Sequence, residues 1–255
     1  MDILFVSDYV CPYCLVAKEA MKAAIAELDF TPRITWHPYE LTIEPAPRVD
    51  TYNDQVRKSH YQVLVEPCRQ LGLDMKLPPN VVPRPYTRLA FEGYYYALEH
   101  GRGDAYNNLV YRAYFIDEED IGQADVLKRL AGQAGLDPED FGEALENGIY
   151  SDQVAADNRH AREELHVGHV PTIFIDGKEI SVESYTKEAF LEVFRNVEKY
   201  EASGAGEGKA QGGCGPDGCS LGGGAKAQGG CGPDGCSFGG EEEAQGGCGP
   251  DGCSF

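Results

Sequence analysis

Ser7-Asp8-Tyr9-Val10-Cys11-Pro12-Tyr13-Cys14 stands between an apolar run and a helical pattern, and its reading decides the fold. Upstream, Ile3-Leu4-Phe5-Val6 is short, apolar and rich in β-favouring residues, as a buried strand requires. Downstream, Leu15, Val16, Ala20, Ala23, Ala24 and Leu28 recur at helical spacing between Lys18, Glu19, Lys22 and Glu27. Cys11 therefore falls where the helix begins. Pro12 takes the first helical position, where its missing N–H costs nothing. Unpaired N–H groups and the positive end of the helix dipole favour a thiolate there, so a lowered Cys11 pKa is expected. Cys14 lies in the same turn, within bonding distance. A nucleophilic thiolate with a resolving thiol beside it is what thiol–disulfide exchange needs. The same spacing also fits half of a zinc site, but the foldable part of the chain offers only Cys68 as a further thiol. The strand-then-helix context favours redox chemistry, and no metal site is expected at Cys11 and Cys14.

The last 55 residues differ sharply from the rest, holding 20 of 31 glycines and six of nine cysteines. Such a stretch cannot bury a core, so the foldable unit is about the first 200 residues, enough for one packed domain with a subdomain. The net charge is −20, of which the tail carries −6. A surface this acidic repels nucleic acid and anionic membranes, and both are excluded as partners. Met1-Asp2 runs straight into the first strand with no basic leader, and no apolar run approaches membrane-spanning length. A cytoplasmic location is expected, where disulfides are usually transient and catalytic.

After the first helix, Arg33-Ile34-Thr35-Trp36-His37 predicts a second strand ending near Pro38. From about Asp50 to His166 the pattern is helical, with helices over Tyr52–Leu71, Tyr86–His100, Ala105–Phe115, Gln123–Ala134, Pro138–Glu146 and Ser151–Leu165. Ser151-Asp152 reads as a cap for the last of these. Tyr94, Tyr95, Tyr96, Tyr106, Tyr111 and Tyr114 make this block aromatic, a composition suited to helix packing. Cys68 sits on an apolar helix face and reads as an inert buried thiol. Strand pattern returns at Val170-Pro171-Thr172-Ile173-Phe174-Ile175. A tight turn at Asp176-Gly177-Lys178 then leads into a hairpin partner over Glu179–Val182, and a helix over Thr186–Tyr200 closes the order.

A proline opening a strand removes a ladder donor and belongs at an edge or an irregular position. A cis Val170-Pro171 bond is expected, placing the strand start beside the Cys11 sulfur and leaving the Val170 backbone to pair with an extended substrate peptide. An ordinary trans proline would satisfy the sequence as well. His166 and His169 flank Gly168, and His169 is a candidate for tuning the thiolate.

The combination of Asp8-Tyr9-Val10-Cys11-Pro12-Tyr13-Cys14, a long helical insertion and Val170-Pro171-Thr172-Ile173-Phe174 resembles the DsbA-like branch of the thioredoxin superfamily. Trp36-His37-Pro38-Tyr39-Glu40-Leu41 looks most like its cytoplasmic FrnE group. The resemblance covers about residues 2–200. It implies an α/β, thioredoxin-like fold over 1–49 and 167–200 with a helical subdomain inserted at 50–166, and the composition of 201–255 makes that stretch a flexible Gly/Cys-rich tail. The resemblance further implies a nucleophile at Cys11, a resolving cysteine at Cys14 and a cis-proline at Pro171, with Tyr9, Pro12, Tyr13, Val170 and Thr172 at the substrate. Pro12-Tyr13 is the dipeptide usual in glutaredoxins. Those run at about −200 to −230 mV against about −120 mV for DsbA, which suggests a weaker oxidant able to isomerise or reduce. The expected activity is protein disulfide oxidoreductase or isomerase, with proteins bearing exposed disulfides or thiols as partners. No bound cofactor is expected, and glutathione or a thioredoxin-type protein would supply reducing equivalents. The alternative is the group of 2-hydroxychromene-2-carboxylate isomerases and kappa glutathione transferases. These share the layout but typically carry serine where Cys11 stands.

The tail repeats Ala-Gln-Gly-Gly-Cys-Gly-Pro-Asp-Gly-Cys-Ser at Ala210–Ser220, Ala227–Ser237 and Ala244–Ser254, a period of 17 residues. Gly-Pro-Asp-Gly is a favourable β-turn, and closing it makes the flanking cysteines cross-strand neighbours. Cys214 with Cys219, Cys231 with Cys236 and Cys248 with Cys253 can each reach disulfide geometry. Three readings of these pairs stand side by side: auxiliary dithiols feeding the main site, an all-thiolate site for zinc or another soft metal, or an expanded linker.

Overall fold

This computed structural model describes residues 1–197 and, beyond them, the backbone of 213–215 and 218–220. Strand β1 (Asp2–Ser7) leads through Tyr9-Val10 into helix α1 (Pro12–Ile25), and β2 (Arg33–Pro38) returns parallel to β1. Much later β3 (Thr172–Ile175) pairs antiparallel on the other side of β1, and β4 (Lys178–Ile180) pairs antiparallel with β3. The four-stranded order is thus β2-β1-β3-β4, with β1 central. Its near-continuous apolar sequence follows from being covered on both faces, and Phe5 and Val6 are wholly buried. Asp176 and Gly177 both have positive φ, the two-residue turn that matches strand twist, so pairing resumes at Lys178, one residue before the expected Glu179. Helix α9 (Lys187–Arg195) packs on α1 and buries Phe190, Leu191, Val193 and Phe194. It was expected to run on to Tyr200, which lies outside the described residues; the backbone leaves helical geometry at Asn196.

Between β2 and β3 runs an all-helical block: α2 (Gln55–His60), a 3₁₀ turn (Tyr61–Leu64), α3 (Val65–Leu71), α4 (Arg88–Glu99), α5 (Gly103–Phe115), α6 (Ala124–Gln133), α7 (Pro138–Glu146) and α8 (Ser151–Arg159). A single helix over Tyr52–Leu71 is not formed. Asp54 caps α2 by accepting from the Val56 and Arg57 amides, which moves the start inward. Pro67 lacks an N–H and crowds the carbonyl four residues before it, so the preceding turn tightens to 3₁₀. Ser151 does not cap α8. It is the first helical residue, its amide donating to the Gly148 carbonyl, and Tyr150 holds the cap position. The last helix also ends earlier than Leu165, with a π turn over His160–Glu164.

The block is fastened to the sheet by the stretch that leaves β2. Trp36 donates from its indole to Asp104 at 3.0 Å, and His37 meets the ring of His160 at 3.2 Å. Glu40 is the centre of this seam. Its carboxylate accepts from Arg88 at 2.7 Å and from Asn158 at 3.0 Å, its amide donates to Asn158, and its carbonyl accepts from Arg162 at 2.6 Å. A buried carboxylate with this many donors is satisfied, and removing it would strand Arg88. Tyr106, Tyr111 and Tyr114 are wholly or almost wholly buried in helix packing, as their composition suggests. No helix of the described residues is long and apolar enough to cross a membrane.

Candidate active site

Cys11 occupies the N-cap of α1 in extended geometry, with Pro12 inside the first turn. Its amide donates to the Asp8 carbonyl at 3.1 Å, and its carbonyl accepts from the Cys14 amide at 3.1 Å, which brings the two cysteines onto one turn. Both are reduced thiols in this structure. The Cys11 Sγ donates to the Val170 carbonyl at 3.4 Å, across the sheet from a residue 159 positions away. The Val170-Pro171 peptide is cis, as expected from the sequence. Thus Cys11, Cys14, Val170 and Pro171 are brought together by β1, α1 and the start of β3.

Both sulfurs are fully buried. The 3₁₀ turn and α3 pack against α1, the helix that carries them. Tyr13 donates from its hydroxyl to the His60 carbonyl at 3.2 Å, and its ring meets Tyr185 edge-on at 6.4 Å. Burial pushes the Cys14 thiol far above the ordinary range, and the neighbouring Cys11 raises it further. Cys14 is therefore held as the protonated partner of the pair.

Asp8 had no role in the sequence reading beyond its place in the motif, and the structure puts it at the base of the site. Its carboxyl is fully buried, accepting from the Leu41 amide at 2.7 Å and, more weakly, from the Val10 amide at 3.5 Å. Thr87 and the charge of Arg84 also favour its ionised form, but burial outweighs them and raises its pKa to about 7. Its charge in turn acts on Cys14. The signal available in the sequence was an acid three residues before the first cysteine, on the strand exit. What the sequence could not show was how deeply the fold buries this carboxyl. Tyr111 was also missed: its hydroxyl donates to the Asp8 carbonyl at 3.4 Å, and Lys18 lies over its ring at 5.2 Å.

The remaining candidates are placed as follows. Pro12 and Tyr13 lie at the sulfurs. Tyr9 is stacked on Phe91 at 4.7 Å and edge-on to Tyr111 at 5.0 Å. Thr172 is buried and donates to the His169 carbonyl at 2.6 Å, while His169 itself is exposed. Cys68 is buried against the Met75 sulfur at 3.8 Å, and burial pushes its thiol up to about 11. In the tail, strands β5 (Gly213–Gly215) and β6 (Gly218–Ser220) form a hairpin in which Cys214 is directly opposite Cys219. Cys231, Cys236, Cys248 and Cys253 lie outside the described residues. Among the described residues, no group of three or more His, Cys, Asp or Glu side chains is arranged to hold a metal ion.

Residues 2–192 match the DSBA-like thioredoxin domain. The chain is 38% identical over 194 residues to the uncharacterized protein YwbO of Bacillus subtilis, covering 76% of this chain and 95% of that protein. Its structure is similar to a probable DsbA oxidoreductase from Streptomyces coelicolor, with a TM-score of 0.65, 25% identity and coverage of 88% of this chain and 100% of the other. A 2-hydroxychromene-2-carboxylate isomerase shares the fold at a TM-score of 0.61 and 17% identity, over 78% of this chain and 95% of the other.

Proposed function

The chain belongs to the DSBA-like thioredoxin domain family, and from that premise we propose that it is a thiol–disulfide oxidoreductase or isomerase of the FrnE-like kind. It acts in the cytoplasm on proteins with exposed disulfides or thiols. The observation that carries this reading is Cys11 at the N-cap of α1 with its sulfur on the Val170 carbonyl and Cys14 one turn on.

In the reducing direction the Cys11 thiolate attacks a substrate disulfide. A Cys11–substrate disulfide forms and one substrate thiolate leaves. Cys14 then gives up its proton and attacks the Cys11 sulfur, releasing the second substrate thiolate and leaving a Cys11–Cys14 disulfide. The substrate gains two electrons and the enzyme loses two. Because Cys14 is held protonated by burial, this second step needs a base, and Asp8 is the buried group poised to take the proton near neutral pH. Glutathione, a thioredoxin-type protein or the tail dithiols would restore the reduced pair. The Cys214/Cys219 pair suits this exchange, its two residues being opposite in the hairpin register. Since both sulfurs are buried, entry of a protein substrate requires Tyr13 and the His60 backbone that holds it to yield.

The deciding experiment compares turbidimetric insulin reduction with glutathione-dependent turnover of an aromatic substrate, in native protein and Cys11→Ser. Loss of insulin reduction in the variant supports this reading. Full insulin reduction by Cys11→Ser, or turnover confined to the glutathione-dependent reaction, assigns the chain to the isomerase and transferase group instead.

A further inference from the structure

The tail contains one feature that neither redox exchange nor turn formation requires. Each repeat is followed at once by a single large apolar residue: Leu221 after Ser220, Phe238 after Ser237 and Phe255 after Ser254. Beyond residue 200 these three are the whole complement of Leu, Ile, Val, Met, Phe, Tyr and Trp. A solvated linker has no use for a large apolar residue at a fixed position in every period. An apolar anchor next to a rigid hairpin is the arrangement of a docking unit.

The folded domain offers a matching surface. Val56, Val63 and Val65 are 45%, 49% and 50% exposed, three of the eight exposed large apolar side chains among the described residues, and they fall within ten positions. The same segment is locally basic on an acidic protein, with Arg57 and Lys58 in the last turn of α2. The tail is acidic, and every repeat presents an aspartate at its turn: Asp217, Asp234 and Asp251. Finally, β6, whose last residue precedes Leu221, lies alongside α2 with Cα atoms within 8 Å.

We propose that each tail repeat docks on the outer face of the α2–α3 segment, inserting its apolar anchor at Val56, Val63 and Val65. The segment has two faces with different tasks. Its inner face is tied to the dithiol turn, through the His60 carbonyl that accepts from Tyr13. Its outer face receives a repeat and so holds a second dithiol next to that turn. Only one repeat occupies the face at a time. The chain from Val197 to the anchors is 24, 41 or 58 residues long. By tether length alone the second and third repeats visit roughly twofold and fourfold less often than the first. The redox consequence rests on the proposed function, whereas the docking itself does not.

The test is hydrogen–deuterium exchange on the full-length protein, comparing native chain with L221S/F238S/F255S, in which all six tail cysteines remain. Amides of α2 and α3 should exchange roughly threefold or more faster in the variant, with the rest of the domain unchanged. V56D/V63D/V65D should reproduce the effect from the other side of the contact. Unchanged exchange in both variants overturns the proposal. So does protection that vanishes on tenfold dilution, which would make the occupant a second copy. In a Cys14→Ser background the Cys11–tail disulfide should form roughly tenfold more slowly without the anchors. If exchange shows docking but mass spectrometry finds no such disulfide in any variant, docking stands and it is the tail-exchange part of the proposed function that falls.

Discussion

Cys11 and Cys14 lie three positions apart, wholly buried, whereas Cys214 and Cys219 lie five apart on facing strands of a glycine-rich hairpin. The first pair is assembled from distant pieces: a helix N-terminus, a carbonyl 159 residues away and a buried acid at the strand exit. The second needs only the local Gly-Pro-Asp-Gly turn, so its register is set within eight residues. Local geometry suffices to bring two thiols together. It does not suffice to make them unequal, and inequality is what a nucleophile and a resolving partner require. The burial that raises Cys14 is a tertiary property.

That contrast breaks most readily at the nucleophile. Cys11→Ser should lower insulin reduction by roughly 10³-fold or more, the scale of losing a covalent nucleophile. Replacing both Cys214 and Cys219 should change the same rate by less than about threefold. Equal losses in the two would mean the tail is not auxiliary.

Asp8→Asn probes whether tertiary electrostatics distinguish the pairs. The resolving step should slow by roughly 10- to 100-fold, read as accumulation of Cys11-linked substrate by mass spectrometry. Stability should move oppositely. Asp8 has its folded pKa raised to about 7 from 3.8. Between those values the native state holds a proton that the unfolded state has released, so stability falls as pH rises and levels off above about 7. The amide variant lacks this loss. Above pH 7 it should be more stable than the native protein by about 4 kcal/mol, and near pH 4 the two should converge. Chemical denaturation at both pH values checks the sign.

Glu40→Ala tests the seam. Removing this carboxylate leaves Arg88 without its anion and takes one acceptor from the Asn158 amide, at a cost of about 3 kcal/mol. Urea midpoints should fall accordingly. Alkylation of Cys11 should change with the loosened block, while that of the tail thiols stays constant. The smallest effect is expected at Cys68, whose thiol is pushed up to about 11 by burial. Cys68→Ala should leave disulfide exchange unchanged, and iodoacetamide should label Cys68 only after unfolding.

Much of the architecture was legible because local rules and global fold agree. The β1–α1 junction was marked by a change of hydrophobic period at Asp8, and Pro138–Glu146 by an aspartate cap and a proline at its start. The errors fall where a rule for one element met another rule. Pro67 split a periodic helix, and a Gly148 turn pre-empted the cap expected at Ser151. Trp36-His37-Pro38-Tyr39-Glu40-Leu41 was recognisable as a motif, but its reason was not. Its Trp36, His37 and Glu40 side chains reach partners in the helical block, at Asp104, His160 and Arg88.

The sequence by itself determined which residues carry sulfur, where the first helix starts and how the tail turns, since these depend on neighbours a few positions apart. Only the tertiary structure decided that Val170 receives the Cys11 thiol, that Tyr13 bonds to the His60 carbonyl and that Asp8 is buried. The reason is physical. A pKa set by desolvation depends on what fills the surrounding volume, and that volume is occupied by segments whose separation in sequence leaves no local trace.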